Sequence, residues 1–365
     1  MACTLCFVGD LCPSCVYSQD VETLARSLKE LRGAIPQSAT LFFNLECSLF
    51  RDSTGSDTEA NEAALQSLAL LKPAVANLSN NHHFDGGLDG SLRIRQILDG
   101  IGIPYIGLYG GDERGYDIVK VDTKRVGVIC RTARGTNPKS WGTGSHVMWP
   151  IDYAEVLSMC DAIVNKVDIA IVCLHWGAEY YRRPSPRQRR LVEQLLDRGI
   201  DVVWSHHAHV LQPRQCLGKA LVMYGMGNCI FGQVVEGRWP SESKQAALVV
   251  FETVEPGQRC GEIGFDAGNS GAPLASHPVS AIRGSMGHAI YWYPLDVLLW
   301  FSYRAYMELF VFGKRFIQRK LSHRQEIVTK TDYKNQPAAT HEIPPRVASV
   351  IRERLRRVVS IWEDE

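Results

Sequence analysis

The residues best suited to catalytic chemistry form a histidine cluster in the middle of the chain. The segment WSHHAHV at 204–210 places three imidazoles within four residues, directly after an apolar run that ends at Val203. Imidazole is a common ligand of zinc-like ions and titrates near neutral pH, so this density at a strand end indicates metal binding. The sequence therefore predicts a metal centre that includes these histidines.

Four other apolar runs end at side chains that could also bind metal. In chain order, they lead to Gly9-Asp10, to Asn44-Leu45-Glu46, to the segment 77–83 and to His175-Trp176. In open α/β sheets, ligands bind outside the carboxyl ends of the strands. Five strand ends that carry Asp, Glu, Asn or His are therefore expected to meet at one edge.

The elements that would position these residues alternate along the chain. Helical patterns occur at 21–32, 61–71, 91–98, 152–164 and 186–198, and further strands are predicted at 118–121, 126–130 and 167–174. This alternation predicts an α/β fold with helices on both faces.

Composition narrows the classes of function. The chain has 365 residues, of which 45% are hydrophobic and 22% charged, as is typical of a globular, soluble protein. Its 40 basic and 39 acidic residues create no global field, so no nucleic acid binding is expected. Residues 1–15 contain no Lys or Arg and include Asp10, so we expect no secretory signal peptide and a cytoplasmic location.

The cysteine content is also typical of a cytoplasmic protein. Eleven scattered cysteines do not make a disulfide framework and predict mostly free thiols. Two pairs, Cys3/Cys6 and Cys12/Cys15, have a spacing that could hold structural zinc. Because Cys3 and Cys6 belong to a predicted strand, we favour packing as their role, with a redox role for Cys12-Pro-Ser-Cys15 as the weaker alternative.

Six motifs in a fixed order resemble one known family. They are GD at 9–10, NLE at 44–46, NNH at 80–82 with Asp85, HWGAEY at 175–180, HHAHVLQ at 206–212 and YGMGN at 224–228. This order is similar to the capsule synthesis protein CapA family, the poly-γ-glutamate capsule proteins, which are related to calcineurin-like metallophosphoesterases. The resemblance covers roughly residues 4–255 and implies a four-layer α/β/β/α sandwich.

The resemblance also implies a cofactor of one or two divalent metal ions, of the Mn, Zn, Fe or Mg type. It assigns as metal ligands Asp10, Glu46, Asn81, His175, His207 and His209. It implies that Glu46 bridges two ions, that His82 is the general acid, and that Asp85 orients His82. His83 and His206 are expected to support ligands or to lie on the surface.

Two positions depart from the metallophosphoesterase pattern. Cys12 stands where those enzymes carry the histidine of an Asp-x-His pair, a histidine that CapA relatives also lack. Either one ion site is weaker, or a Cys12 thiolate completes it and favours zinc. In addition, Asn44-Leu45-Glu46 replaces the usual Gly-Asp-x-x-Asp, which favours an amide substrate over a phosphoester.

These observations predict a metal-dependent hydrolase that directs a metal-activated hydroxide at an amide or γ-glutamyl linkage, in a small molecule or a γ-glutamyl polymer. The residues expected to bind substrate are Asn44, Trp176, Glu179, Tyr180, Arg182, Arg183 and Asn228. Guanidinium groups bind carboxylates and phosphates in bidentate fashion, so the arginine pair could clamp an anion. The alternative for Arg182 and Arg183 is that they belong to a solvated face. The alternatives are a non-hydrolytic accessory protein of poly-γ-glutamate or capsule biosynthesis and, more weakly, a phosphoesterase.

The chain beyond the resemblance divides into two parts. Residues 256–288 are rich in Gly and Pro and predict a loop or linker after the 1–255 domain. Residues 289–365 predict an aromatic and basic helical C-terminal extension. For 290–324 we favour a helix that packs on the catalytic domain, with a weak membrane-surface contact as the alternative.

Overall fold

The computed structural model describes residues 3–110, 115–144, 146–232, 241–254, 257–266 and 273–278. Its strands, in chain order, are β1 (Cys3–Cys12), β2 (Thr40–Leu45), β3 (Ala74–Asn77), β4 (Tyr105–Ile106), β5 (Asp117–Val121), β6 (Lys124–Thr132), β7 (Gly142–Thr143), β8 (His146–Val147), β9 (Ile169–His175), β10 (Val202–His206), β11 (Arg214–Leu217), β12 (Ala220–Met223), β13 (Asn228–Phe231), β14 (Gln245–Val254), β15 (Gly257–Asp266) and β16 (Pro273–Pro278).

The helices lie between these strands. They are α1 (Val16–Gln19), α2 (Val21–Ala34), α3 (Glu62–Gln66), α4 (Gly87–Gly100), α5 (Tyr153–Ile163) and α6 (Pro186–Asp197), with short 3₁₀ helices at Ser67–Leu71, Arg134–Thr136 and Ser241–Lys244. Side-chain caps fix several of the starts: Asp20, Asp152 and Ser185 each accept a backbone N–H from the first turn of α2, α5 and α6. The predicted helices are confirmed, although α4 begins four residues before the predicted 91–98.

Two sheets form the centre of the fold. The first has the order β16-β15-β14-β1-β2-β3-β4, with β13 also paired to β1, and the second has the order β11-β12-β10-β9-β6-β5. Strands β1 to β4 are parallel, as are β6, β9, β10 and β12. The carboxyl ends that carry the polar motifs therefore lie at one edge of each sheet.

Three hydrophobic cores separate four layers. Between the sheets, the rings of Phe7 and Phe42 lie 5.4 Å apart, and the Trp204 indole lies 5.6 Å from Phe7. Trp204 also donates from Nε1 to the Val8 carbonyl of the opposite sheet, at 3.1 Å. A second core joins α2, α3 and α4 to the first sheet, and a third joins α5 and α6 to the second. The expected α/β/β/α sandwich is confirmed.

The C-terminal part of the described chain corrects one prediction. Within the segment 256–288, predicted to be a loop or linker, residues 257–266 and 273–278 form β15 and β16, which extend the first sheet beyond β14. A strand ladder is held by backbone hydrogen bonds, so a Gly- and Pro-rich strand can pair without an apolar pattern. The predicted extension at 289–365 lies outside the described residues. Within the described segments, no helix combines the length and apolarity needed to cross a membrane.

Candidate metal centre

The position of Asp10 is fixed by a close crossing of backbone segments. Asp10 pairs with Asn44 of β2 on one side and with Asn228 of β13 on the other. Its N–H donates to the Gly227 carbonyl at 2.9 Å. A Cβ at Gly9 would overlap that carbonyl oxygen, so the crossing requires glycine there. The Gly9-Asp10 motif therefore sets a carboxylate at the junction of three strands.

Five of the six predicted ligands converge into one buried cluster. The cluster contains two overlapping sets of residues, and within each set the ligating atoms lie within 4.8 Å of one another. One set is made by Glu46, His175 and His207, and the other by Asp10, Glu46 and His209. All five side chains are buried. Glu46 belongs to both sets, which is the position that a carboxylate bridging two ions would take.

The loop after β10 holds two of these histidines in an unusual backbone conformation. His207 has a φ of +86° and His209 a φ of +55°, in the left-handed region that residues other than glycine rarely adopt. Such strained positions concentrate at functional sites, where the surrounding structure over-determines them. Although only Ala208 separates them, His207 lies with Glu46 and His175, whereas His209 lies with Asp10 and Glu46.

The sixth predicted ligand, Asn81, lies beside this cluster. Its Oδ1 is 2.8 Å from Nε2 of His175, and its Nδ2 donates to the Thr136 carbonyl at 3.1 Å. The anchored amide nitrogen leaves Oδ1 directed at the centre. An amide oxygen and an imidazole nitrogen side by side are compatible donors for the ions predicted from the sequence.

One further observation indicates that the cluster suits divalent ions. Oε1 of Glu46 is buried and has no hydrogen-bond partner among the described residues, although it lies 3.7 Å from Nε2 of His175 and 3.6 Å from Nε2 of His209. A buried carboxylate oxygen without a donor is costly. Ligand bonds of about 2.0–2.2 Å would place neighbouring donor atoms roughly 3–4 Å apart, so these separations suit a shared ion.

The charge distribution supports the same conclusion. Burial raises the pKa of Asp10, but hydrogen bonds and charge from His206 and His209 outweigh it and hold that pKa well below its ordinary value. Burial and the Asp10 charge hold the pKa of Glu46 well above its usual range. Burial likewise holds the pKa of His175 well below normal. Because metal ligands must be deprotonated, ion binding should release protons here.

Three neighbouring side chains orient the ligands. Asn44 donates from Nδ2 to Asp10 at 2.8 Å and to Glu46 at 3.2 Å, and it is fully buried. Asn228 Oδ1 lies 2.9 Å from Nδ1 of His209, which leaves Nε2 of that imidazole for an ion. His206 Nδ1 lies 2.8 Å from Asp10 Oδ1.

These contacts correct two predicted roles. Asn44 and Asn228 were expected to bind substrate, but both are fully buried and their amides are engaged by ligands or by backbone. They position ligands instead. Two residues that were not predicted extend the network, because Asn77 and Asn80 both donate to Oδ1 of Asn44, at 2.9 and 3.2 Å. The density of asparagine at 77–81 was the available signal.

The predicted acid pair lies at the rim of the cluster. Nδ1 of His82 is 2.8 Å from Oδ2 of Asp85, and the His82 side chain is 30% exposed whereas Asp85 is 3% exposed. Lys139 Nζ lies 3.3 Å from the same carboxylate oxygen. The neighbouring His83 is buried against Ser91, 2.7 Å away, and burial lowers its pKa to about 3. His83 is therefore a neutral packing residue, whereas His82 can meet a substrate.

The side chains of the HWGAEY segment lie partly in the core and partly near the surface. The indole of Trp176 is 3% exposed and packs in the core between the second sheet and its helices, so its predicted role in substrate binding is corrected to packing. A side chain that directly follows a buried strand can point inwards. Tyr180 is half-buried, with its ring 6.2 Å from that of His209. Arg182 and Arg183 are exposed.

Cys12 is not part of the cluster. Its thiol is buried, donates to the Ser14 hydroxyl at 3.2 Å and has a pKa held well above normal by burial. None of the candidate ion groups found among the described residues contains a cysteine. The alternative of a Cys12 thiolate ligand therefore fails. The ten cysteines that the structure describes are free thiols, as predicted.

Comparisons with known proteins agree with these motifs. A family model described as bacterial capsule synthesis protein PGA_cap matches residues 4–233. Capsule biosynthesis protein CapA of Bacillus anthracis is 29% identical over 207 residues, which cover 54% of this chain and 48% of that protein. PGA biosynthesis protein CapA of Bacillus subtilis is 28% identical over 205 residues, covering 54% and 52%. The chain thus spans about half the length of these two relatives.

Two further matches are an accessory protein and a solved structure. A probable polyglutamine synthesis accessory protein of Mycobacterium tuberculosis is 28% identical over 233 residues, covering 58% of this chain and 61% of that protein. Among solved structures, the NAD nucleotidase NadN of Haemophilus influenzae is 15% identical, with a TM-score of 0.46, and covers 73% of this chain and 56% of that chain.

Proposed function

This chain belongs to the PGA_cap family of bacterial capsule synthesis proteins, and from that premise we propose that it is a metal-dependent hydrolase of an amide or γ-glutamyl linkage. One observation carries the proposal: a buried cluster of Asp, Glu and His ligating atoms lies beside a half-exposed His82 that Asp85 orients. A module that only binds a partner has no need of an oriented acid next to a metal centre.

The buried residues have separate tasks in this proposal. Asp10 and His209 would hold one ion, His175 and His207 would hold a second, and Glu46 would contact both. Bound ions would supply Lewis-acid activation of water and of the scissile bond. The fixed side chains of the protein would keep this geometry during turnover, because their orienting hydrogen bonds are buried.

His82 would supply the leaving group with a proton. Its Nδ1 is held by Asp85, so Nε2, which lies 3.3 Å from the Asn81 amide nitrogen, is the atom that would donate to the departing amine nitrogen. The Asp85 carboxylate keeps the ring in position. An amine is a poor leaving group and needs such a proton, which is why the pair suits an amide.

The substrate would carry carboxylates. Arg182 and Arg183 are exposed and follow the HWGAEY segment that reaches the centre through Glu179. Guanidinium groups bind carboxylates in bidentate geometry, and a γ-glutamyl chain offers one carboxylate per residue. The relatives named for PGA and polyglutamine synthesis support this substrate class.

The proposal is tested by metal analysis combined with a substrate screen. The full chain is purified without chelator, its metals are measured by elemental analysis, and γ-glutamyl peptides, other amides and phosphoesters are tested for turnover. We expect stoichiometric divalent metal and hydrolysis of γ-glutamyl or related amide substrates. Replacing both Arg182 and Arg183 by Gln should raise the KM for anionic substrates, whereas Arg51→Gln, an exposed control elsewhere, should not.

Two outcomes would contradict the proposal. Purified protein that never contains metal would refute both the centre and the hydrolase. Metal without turnover on any amide would favour the accessory role, which the name of the Mycobacterium tuberculosis relative supports. Turnover of phosphoesters alone would move the substrate class to phosphoesters.

A further inference from the structure

We propose that Glu179 is an additional metal ligand, shared between the two ion positions, and not a substrate-binding residue. The inference rests on the metal centre of the proposed function and adds a ligand to it. Its basis is a third set of ligating atoms, made by Glu179, His207 and His209, which lie within 4.8 Å of one another.

The composition of this third set makes Glu179 a shared ligand. His207 also belongs to the set with Glu46 and His175, and His209 also belongs to the set with Asp10 and Glu46. The Glu179 carboxylate is therefore close to one histidine from each ion position. Glu46 belongs to two sets through different partners, so Glu46 and Glu179 are the two carboxylates that would contact both ions.

One position of the centre lacks a donor that Glu179 can supply. The set with Asp10 and Glu46 has three donors, whereas zinc-like ions bind four or more. Cys12, at the sequence position where metallophosphoesterases carry a histidine, directs its thiol to Ser14. Glu179 is the remaining carboxylate whose oxygen reaches the donor atoms of this region.

The backbone holds Glu179 at this point. The Tyr180 N–H donates to the Ala208 carbonyl at 2.7 Å, which ties the loop of Glu179 to the loop of His207 and His209. Gly177, with a φ of +96°, turns the chain, and a Cβ there would meet the side chain of Gln188. Glu179 is half-buried whereas the other ligands are buried, so it would approach the ions from the solvent side.

Charge supports the assignment. The negative charge of Glu179 contributes to the raised pKa of Glu46, after larger contributions from burial and Asp10. Burial lowers the pKa of His209, but Asp10 and, to a smaller extent, the charge of Glu179 outweigh it and raise that pKa. Three carboxylates in one site repel one another unless cations lie between them. Two divalent ions would balance this charge.

The test is calorimetric titration of chelator-treated full-length protein with Mn²⁺, compared with turnover. Wild-type protein should bind two ions per chain. Glu179→Gln should weaken at least one of them by about 10–100-fold, the range known for residues that support metal sites. Glu179→Asp keeps the charge but withdraws the carboxylate, and it should weaken binding as well. Glu193→Gln, the same change on the exposed face of α6, should leave both affinities unchanged.

Each outcome bears on the inference. Wild-type affinities in Glu179→Gln, with a raised KM, would overturn it and return Glu179 to substrate binding. Weak binding in Glu179→Gln but wild-type binding in Glu179→Asp would overturn it too, since charge alone would then act. Binding that depends on Glu179 without turnover of any substrate would support this inference while refuting the proposed hydrolase. Metal-dependent turnover with unchanged affinity in Glu179→Gln would refute the inference alone.

Discussion

Glu46→Gln should change stability in opposite directions with and without metal. Glu46 is fully buried, and its Oε2 accepts one hydrogen bond, from Asn44 at 3.2 Å, while Oε1 has no partner among the described residues. Burial and the charge of Asp10 hold the pKa of Glu46 well above normal. In metal-free protein at neutral pH, Glu46 must therefore either take up a proton on folding or carry a buried charge, and both destabilise the fold. A neutral amide of the same shape removes that cost. With metal present, the same substitution removes a ligand.

The two effects can be given magnitudes. Replacing a poorly compensated buried charge by a neutral isostere is expected to stabilise by about 1–4 kcal/mol. A ligand at 1,000 times its Kd stabilises the folded state by about 4 kcal/mol. For a domain of this size each kcal/mol shifts Tm by roughly 2–4 °C, so saturating metal should raise the wild-type Tm by roughly 8–16 °C. Most of that rise should be absent in Glu46→Gln.

Differential scanning calorimetry with EDTA or excess Mn²⁺ measures both effects, with the exposed Glu30→Gln as the control. The folded-state pKa of Glu46 is raised, so its contribution to stability is fully present below its ordinary pKa of 4.5 and is lost as pH rises. The metal-free advantage of Glu46→Gln should therefore grow from pH 4.5 towards pH 7. The reasoning is refuted if Glu46→Gln is less stable than wild type in EDTA at pH 7, or if metal stabilises both proteins equally.

Three other predictions concern the acid, the strand crossing and a titrating carboxyl. His82→Ala should keep its metal but lose turnover about 10²–10⁴-fold, whereas His207→Ala should lose metal and thermal stability; equal metal loss in both would make His82 a ligand. Gly9→Ala should destabilise the folded protein by about 1–3 kcal/mol or more, because the added Cβ overlaps a backbone carbonyl. Gly33→Ala, in an open position on α2, should instead stabilise it by about 0.5–1 kcal/mol, and urea unfolding measures both changes. Burial raises the pKa of Asp117 from 3.8 to about 6, so the contribution of its protonated form to stability is lost as pH rises through 6. Asp117→Asn should therefore flatten the dependence of Tm on pH between pH 4 and 6. An unchanged dependence would contradict the raised pKa.

The sequence by itself determined the layers and the edge that carries the site. Apolar runs that alternate with amphipathic helices require sheets covered by helices, and polar residues placed after parallel strands must meet where those strands end. The predicted starts at 21, 152 and 186 lie within one residue of the observed starts of α2, α5 and α6, where Asp20, Asp152 and Ser185 cap locally. The start of α4, which has no side-chain cap, was missed by four residues. The resemblance to the family then implied that Asp10 and Glu46 share one site with the histidines.

Only the tertiary structure decided what each polar residue contacts. Asn44 and Asn228 have the same chemistry as a substrate-binding amide, but packing between strands buries them behind ligands. Trp176 follows a strand end, yet its indole lies in the core. The sequence pattern specifies that a residue follows a strand. The direction in which its side chain points depends on the neighbouring loop and sheet.

The sequence pattern also did not specify the contacts of Glu179 or the pairing of β15 and β16. Glu179 meets His207 and His209 because one hydrogen bond joins their loops and because both histidines adopt left-handed backbone conformations. The pairing of β15 and β16 uses backbone groups that every sequence possesses. Local patterns record burial and periodicity, which depend on neighbours in the chain. Distances between loops depend on how two sheets pack, and those distances exist only in the folded protein.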